Sequence, residues 1–326
     1  MPSALITGAR GFLGGHIARH LLQEGWQVTA LLRPGSDGSA LSEAGISVVH
    51  APMDNHAEVT HAMPPAVDAV FHVAGNTSLW RKGNERQYRD NVLGTRAMVT
   101  AALRNQVGRF IYTSSISAWG IQEGTVDEST SPNMAEDWIG YNQTKFQGEE
   151  EVLAGVHSGL DAVILNPCAI IGSGDTRNWS QMITLINEGK LPGVPPGSSN
   201  FCSVREVARA HIKAWQHGRT AENYILGGVE ASFLELAQTI GELLGKPAPK
   251  RTLSPRLLRF LGQLYPIGSL FTGKEPRFTP EKVAMLTNRV RANSRKAVEE
   301  LGFDESVPLE TMLRDCIDWM RETGRL

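Results

Sequence analysis

Apolar residues follow two alternating rhythms along the first half of the chain. Short apolar blocks occupy residues 4–8 (ALITG), 27–33 (QVTALLR), 46–50 (ISVVH), 69–75 (AVFHVAG), 108–115 (GRFIYTSS) and 162–167 (AVILNP). Longer stretches with helical spacing lie between several of them. In 12–25, Leu13, Ile17, Ala18, Leu21 and Leu22 share one side, and Gly25 stops the pattern. Residues 85–106 carry a similar stripe despite Gly94, and 140–156 read as a helix with a polar face. A strand covered on both faces is apolar throughout, whereas a helix packed on one side repeats every 3.6 residues. Such strands alternating with helices predict a parallel sheet covered on both faces, with right-handed crossovers.

The rhythm changes after Pro167. Gly, Pro, Ser and Asn are dense at 172–178 and 189–200. Helical patterns recur near 179–188, 204–217, 232–245, 280–288, 294–301 and 308–322, with one short strand at 223–228. The expected fold class is therefore α/β: a Rossmann-type doubly wound parallel sheet with a smaller, helix-rich C-terminal substrate region. The expected division gives 1–167 to the sheet domain, with 201–228 packing back onto it. Residues 168–200 and 229–326 form the second region. The apolar run 257–271 is broken by Arg259 and Pro266 and is shorter than a membrane span. It reads as a packed helix or as a lid over an apolar site.

Composition narrows the classes of function. The chain has 326 residues, 41% of them hydrophobic, enough for a large core. A net charge of −2 leaves no electrostatic footprint for nucleic acid. Cys168, Cys202 and Cys316 are odd in number and far apart, so neither a disulfide framework nor a zinc site is expected. No metal is expected elsewhere. No basic leader precedes the first strand, and a reducing cytoplasm is the simplest setting.

The chemistry concentrates at strand ends. TGARGFLGG (7–15) places Gly8, Gly11 and Gly14, with Phe12 and Leu13, between a strand and a helix. Glycines there allow a tight turn and close approach to a pyrophosphate, which the helix N-terminus then attracts. An acid after the second strand suits an NAD ribose, and an arginine suits a 2′-phosphate. This chain has Arg33 and no acid in 30–36, with Arg10 as a second cation. NADP(H) is favoured, with NAD(H) as the alternative; Asp37, beyond a Pro-Gly turn, is the counter-argument. Asp54 either accepts from the adenine amino group or caps the helix beginning at His56. The strand ends Val73, Ala74, Gly75, Thr113 and Pro167 complete the cofactor edge. Ser114 and Ser115 sit at another strand end. Tyr141 and Lys145, one helical turn apart, share a face. A nearby ammonium favours the phenolate and would bring the tyrosine toward neutral pH.

Together these motifs resemble the extended branch of the short-chain dehydrogenase/reductase superfamily. TGARGFLGG resembles its glycine motif. HVAG (72–75) resembles its Asn-Ala-Gly-type segment, with His72 in place of asparagine. NVLGT (91–95), YTSSISAWG (112–120) and YNQTK (141–145) are similar to its helix, serine and Tyr-x-x-x-Lys motifs. The C-terminal RANSRKAVEELGF resembles dihydroflavonol-reductase-like and 3β-hydroxysteroid-dehydrogenase-like members. The resemblance implies a catalytic set of Ser115, Tyr141, Lys145 and Asn91. Ser115 would hold a substrate carbonyl and Tyr141 would donate its proton. Lys145 would bind the nicotinamide ribose and acidify Tyr141, and Asn91 would anchor a relay water. The implied activity is NADPH-dependent reduction of a ketone or aldehyde, on an apolar or aromatic substrate. Thr77, Ser78, Leu79, Trp80, Trp119, Trp138 and Trp179 are expected to line its pocket, with Met182 and Phe201 as weaker candidates.

Two alternatives stand beside that reading: a nucleotide-sugar epimerase with retained NAD, and a non-catalytic cofactor-binding regulator. Dehydration is disfavoured, because Ile116 and Ser117 occupy the positions of the dehydratases' Asp-Glu pair. Epimerases often carry a tyrosine at the position of Trp119. They also read a diphosphate with C-terminal arginines, for which Arg205 and Arg277 are candidates. The resembled family commonly dimerises through two helices of the cofactor domain, so a homodimer is compatible with this chain.

Overall fold

The computed structural model describes residues 1–260, 263, 276 and 279–326. The first part contains β1 (Ser3–Thr7), α1 (Phe12–Gln23), β2 (Gln27–Leu32), α2 (Ser39–Glu43), β3 (Ser47–His50), α3 (His56–Ala62) and β4 (Ala69–His72). It continues with α4 (Asn84–Tyr88), α5 (Gly94–Arg104), β5 (Arg109–Thr113), β6 (Gly124–Val126), α6 (Gly140–His157) and β7 (Ala162–Pro167). The later part contains β8 (Ala169–Ile171), α7 (Trp179–Asn187), β9 (Ser198–Ser203), α8 (Val204–His217), β10 (Asn223–Leu226) and β11 (Val229–Ser232). It ends with α9 (Phe233–Leu244), α10 (Pro280–Thr287), β12 (Val290–Ala292), α11 (Arg295–Leu301) and α12 (Leu309–Glu322).

Among the described residues, the main sheet has seven strands in the order β10-β7-β5-β4-β1-β2-β3, all pairs parallel. This is the Rossmann-type doubly wound α/β fold. Its order reverses at β1, flanked by β2 and β4, and a crevice opens there at the carboxyl edge. Leu5 and Ile6 show why the strands are continuously apolar. They point to opposite faces, and both are fully buried. Ile6 joins Ile17, Phe71 and Ile111 on one face; Leu5 joins Met98, Phe110 and Tyr112 on the other. Each such aliphatic side chain contributes roughly 1.5–3 kcal/mol by leaving water. Strand β10 and helix α8 belong with this sheet: β10 pairs with β7, and Val207 and Ile212 join the cluster around Ile17.

Three features depart from the sequence pattern. The helix expected over 85–106 is interrupted by a π-turn at Arg89–Leu93 between α4 and α5. Wider turns of this kind rotate the face that follows, and here Asn91 becomes buried. The later region holds a three-stranded sheet, β11-β9-β8, and β12 pairs with β6 across the chain. These strands are three to six residues long, too short and too rich in Gly, Ser and Asn for alternation to mark them. Finally, most of the 257–271 run lies outside the described residues, and so does the choice between lid and packed helix. Among the described residues no helix is long and apolar enough to cross a membrane.

Candidate active site

The carboxyl ends of β1, β4, β5 and β7 open into one cleft of about 2630 Å³. Its first part is the glycine turn between β1 and α1. Gly8 has φ +76°, and a Cβ on Gly14 would lie 2.2 Å from the Gly8 carbonyl oxygen. Only glycine permits that closeness. No side chain caps α1, so its first N–H groups are left for a ligand, as an anion site requires. Gly8, Arg10, Gly11, Phe12, Leu13, Gly14, Arg33, Ser36, Val73, Ala74, Gly75, Thr113 and Pro167 all line the cleft. A dinucleotide fits this cradle: glycines where a Cβ would intrude, free helix N–H groups, and two exposed arginines beyond them. Asp37 is not among the lining residues; its carboxylate accepts from the Ser39 N–H at 2.9 Å.

Asp54 stands apart from both expectations. Met53, not Asp54, lines the cleft, and the cap of α3 is Asn55, whose side chain accepts from Ala57 and Glu58 N–H groups. Asp54 instead borders a small hollow with Arg96 and Arg104.

Beneath the cleft a buried chain of hydrogen bonds joins β1, β4 and α5. Register places Thr7 beside His72, and His72 beside Tyr112. Thr7 Oγ1 accepts from the Val73 and Ala74 N–H groups at 3.1 and 3.0 Å. Its own proton therefore goes to His72 Nδ1, 2.8 Å away. His72 Nε2 is left to donate to Thr95 Oγ1 at 3.1 Å, and Thr95 donates to the Asn91 carbonyl at 2.7 Å. Burial, aided by the Lys145 charge, pulls the His72 imidazole down to about 3. His211 is a second neutral histidine: Thr113 Oγ1 meets its Nε2, Val207 O meets its Nδ1, and burial lowers it to about 4. Both brace strand ends and neither reaches the cleft.

The structure brings Ser115, Tyr141 and Lys145 together. Tyr141 is half-buried at the cleft, near the Ser115 hydroxyl. Ser115 Oγ also accepts from the Ser117 N–H at 3.2 Å, which fixes its orientation. Lys145 Nζ donates to the Thr113 carbonyl at 2.8 Å and lies 5.3 Å over the Tyr112 ring. One expectation is corrected here. Burial raises the Tyr141 phenol above its usual value, and the nearby Ser115 hydroxyl is what opposes the rise. Lys145 spends its charge on Thr113 and on a turn further along α6. Burial lowers Lys145 itself to about 8, against the pull of Glu149.

Asn91 is a brace in this structure. Its Oδ1 accepts from Asn76 N at 2.7 Å, and its Nδ2 donates to Asn76 O and Thr144 Oγ1. It thereby ties the loop after β4 to α6. A Cβ on Gly75 would touch both Lys145 Nζ and Asn91 Oδ1, so glycine keeps that junction open.

The substrate side is more scattered. Thr77, Ser78, Leu79, Trp119 and Trp179 line the cleft. Trp80 and Trp138 do not: Lys82 lies over Trp80, and Trp138 is exposed with Arg81 over its ring. Phe201 is fully buried and, with Phe233, flanks Trp179 from behind; Met182 packs into the same cluster. Gln87 shapes the loop after β4 by donating to Asn76 O and Ser78 O. Buried Asp175 shapes the entry to α7 by accepting from the N–H groups of Arg177, Asn178 and Ser180. The sequence offered no sign of Gln87 or Asn166, because each acts through a backbone group further back along the chain, and Asp175 acts only within its own loop. Arg205 pairs with Asp315, which also accepts from Ser173 N, and His16 donates to Ser173 O. That arginine is thus committed to joining α8 to α12. Arg277 lies outside the described residues. Among the described residues no group of His, Cys, Asp or Glu side chains could hold a metal ion, and all three cysteines are free.

With fold and site in view, comparison places the chain in a family. Residues 4–227 match the model of the NAD dependent epimerase/dehydratase family, and the chain belongs to that family. Its relatives of the extended short-chain dehydrogenase/reductase type are reductases and dehydrogenases, and this chain is an NAD(P)-dependent oxidoreductase. It is 32% identical to a putative dihydroflavonol 4-reductase of Synechocystis, over 98% of this chain and 94% of the relative. Among solved structures it is similar to gox2253, with TM-score 0.86 and 30% identity over the whole of both chains. It is also similar to a nucleoside-diphosphate-sugar epimerase from Pseudomonas aeruginosa, with TM-score 0.78 and 26% identity over 100% of this chain and 99% of that one.

Proposed function

We propose that the protein is an NADPH-dependent carbonyl reductase acting on an apolar ketone or aldehyde. The observation that carries this is the placement of Ser115 and Tyr141 together on one cleft, with Lys145 anchored beside them through the Thr113 carbonyl. The bound cofactor would supply hydride. Ser115 orients the substrate oxygen and stabilises the charge that develops there. Tyr141 gives that oxygen its phenolic proton. Lys145, one turn along α6, is set to hold ribose hydroxyls in place of the Thr113 carbonyl.

Arg33, Arg10 and Ser36 at one end of the cleft, with Asp37 turned to Ser39, support a 2′-phosphate and so NADPH over NADH. Leu79, Trp179, Leu185, Met285 and Leu286 at the other end support an apolar substrate. The similarity to a putative dihydroflavonol 4-reductase supports the reading as a reductase. The epimerase reading is weaker, because Arg205 is already paired with Asp315 rather than offered to a diphosphate.

The test is to titrate the protein with NADPH and NADH, then screen carbonyl compounds while following nicotinamide absorbance. Oxidation of NADPH by an apolar carbonyl is expected. Tightly retained NAD, with no carbonyl able to oxidise either reduced cofactor, would transfer the assignment to the epimerase.

A further inference from the structure

A carboxylate that none of the reactions above requires lies at the centre of the site. Glu149 is one turn beyond Lys145 on α6 and two turns beyond Tyr141, so the three share one face. It is buried, yet it sits in a helix whose sequence reads as polar surface. Burying a carboxylate is costly unless donors and a counter-charge meet it. Glu149 has both. Asn166 Nδ2 donates to its Oε1 at 2.6 Å, and Asn223 Nδ2 donates to its Oε2 at 2.9 Å. Asn223 Nδ2 also reaches Asn166 Oδ1 at 3.0 Å. These amides come from β7 and β10, the two edge-most strands on that side of the sheet.

The network extends to the reacting groups in two directions. Asn166 Nδ2 also donates to the Ser115 carbonyl at 3.2 Å, so the amide that holds Glu149 also holds the catalytic serine's backbone. The other direction is electrostatic: Lys145 is buried one turn back on the same helix, beyond direct ion-pair contact with Glu149. We propose that Glu149 is the buried counter-ion of Lys145 and, through Asn166, a positioning residue for Ser115. This rests on the reductase reading only in its consequence for turnover.

The surroundings leave Lys145 as the charge that Glu149 meets. From β5, Tyr112 faces both groups, and from β4, His72 faces Lys145; both are held neutral by burial. Tyr141 is the remaining titratable group on their own helix. On the π-turn, Asp90 is engaged by Asn76 and Arg86. Beyond Asn223, Lys296 donates to the Asn223 carbonyl and pairs with Glu222. Burial raises the Glu149 carboxyl, while the nearby Ser114 hydroxyl, the asparagine amides and Lys145 pull it back, in that order. Gly148 lets α6 come this close, since a Cβ there would lie 2.3 Å from the Tyr112 hydroxyl oxygen.

The test reads Lys145 directly in the full chain. Trace labelling with acetic anhydride across pH, read on the Lys145 peptide by mass spectrometry, gives the pH at which the amine is half reactive. In Glu149→Gln that pH should fall by about one unit, a tenfold change in the lysine's protonation equilibrium. In Glu149→Asp, which keeps the charge, it should stay closer to the parent. Asn223→Ala removes one donor, makes the carboxylate easier to protonate, and should move the lysine partway; it decides the matter if the Gln variant does not fold. With an oxidisable pair in hand, the alkaline limb of kcat should move to lower pH by the same amount. A purely structural Glu149 would lower thermal stability without moving either profile. An unchanged Lys145 titration in the folded Gln variant, or in Asn223→Ala, overturns the proposal. Because labelling needs no turnover, its result stands whether or not a carbonyl is reduced.

Discussion

The two sides of the cleft are built on different plans. On the sheet side, polar groups are chained together: Thr7 to His72 to Thr95 to Asn91, and Glu149 to Asn166 to the Ser115 carbonyl. Each link joins one strand end or helix to the next, and the whole is buried. On the far side, aromatic packing and local loop bonds do the work: Trp179 against Phe201 and Phe233, Asp175 inside its own turn. On the proposed function, the difference follows from their tasks. Proton and hydride transfer need groups fixed to fractions of an ångström, which interlocked hydrogen bonds supply. An apolar substrate needs shape and dryness, which aromatic walls supply with less precision.

The sharpest way to break the comparison is at its catalytic centre. Tyr141→Phe should lower turnover by roughly 10²–10⁴-fold, the usual worth of a placed general acid. Cofactor affinity should stay within about twofold, checked by fluorescence titration. Turnover near the parent's level would remove Tyr141 from the chemistry.

The far wall gives the next effect. Trp179→Ala strips a ring from the cluster with Phe201 and Phe233 and should destabilise the fold by about 2–3 kcal/mol. Denaturant unfolding measures it, and KM for an apolar carbonyl should rise as well. A stable variant with unchanged KM would mean that this wall does not touch substrate.

At the cofactor end, Arg33→Ala should weaken NADPH about tenfold or more, the worth of one charge-assisted contact, and NADH far less. Equal losses for both would withdraw the preference for NADPH.

His72 yields a smaller, pH-dependent effect. Its imidazole takes a proton at about 3 in the fold and near its ordinary 6.5 when unfolded. Between those values the unfolded chain binds more protons, so stability falls as pH falls from 6.5 toward 3. The slope is at most about 1.4 kcal/mol per pH unit. His211, lowered to about 4, adds a similar term. As pH falls from about 7 to about 5, through the upper part of that window, the thermal midpoint of His72→Asn should decline less steeply than the parent's. An identical decline would show that His72 is not held neutral. The smallest effect belongs to Trp138→Ala. This exposed ring lies off the cleft, so kcat/KM and stability should barely change.

Much of the sheet side could be read along the chain. The six early strands, α1, α6 and α8 appear where periodicity puts them, within two residues except at β4, which ends three residues early at His72. The glycine turn, Ser115, Tyr141 and Lys145 could be named because each motif occupies a short run next to a strand end. Other assignments failed for identifiable reasons. Asp54 and the capping role differ by one position from Met53 and Asn55, and spacing alone cannot resolve a single-residue offset in a turn. Trp80 and Trp138 were grouped with Trp119 and Trp179 by side-chain type, but burial and loop direction separate them. Residues 140–157 read as a solvated face, yet Asn142, Thr144, Lys145 and Glu149 are buried. A hydrophobic pattern cannot reveal a polar face that finds its partners on β5, β7 and β10.

Sequence by itself determined the sheet and the residue types present at its strand ends, because these depend on contacts within one or two elements. Tertiary structure alone decided the partners. It set Lys145 against Thr113 and Glu149, Ser115 against Tyr141 and Asn166, and Arg205 against Asp315. Each pairing joins segments between about thirty and more than a hundred residues apart, except within α6, and no local period records it. Which charges are buried, and against what, is a property of packing, and packing is where the ordinary values of these groups are displaced.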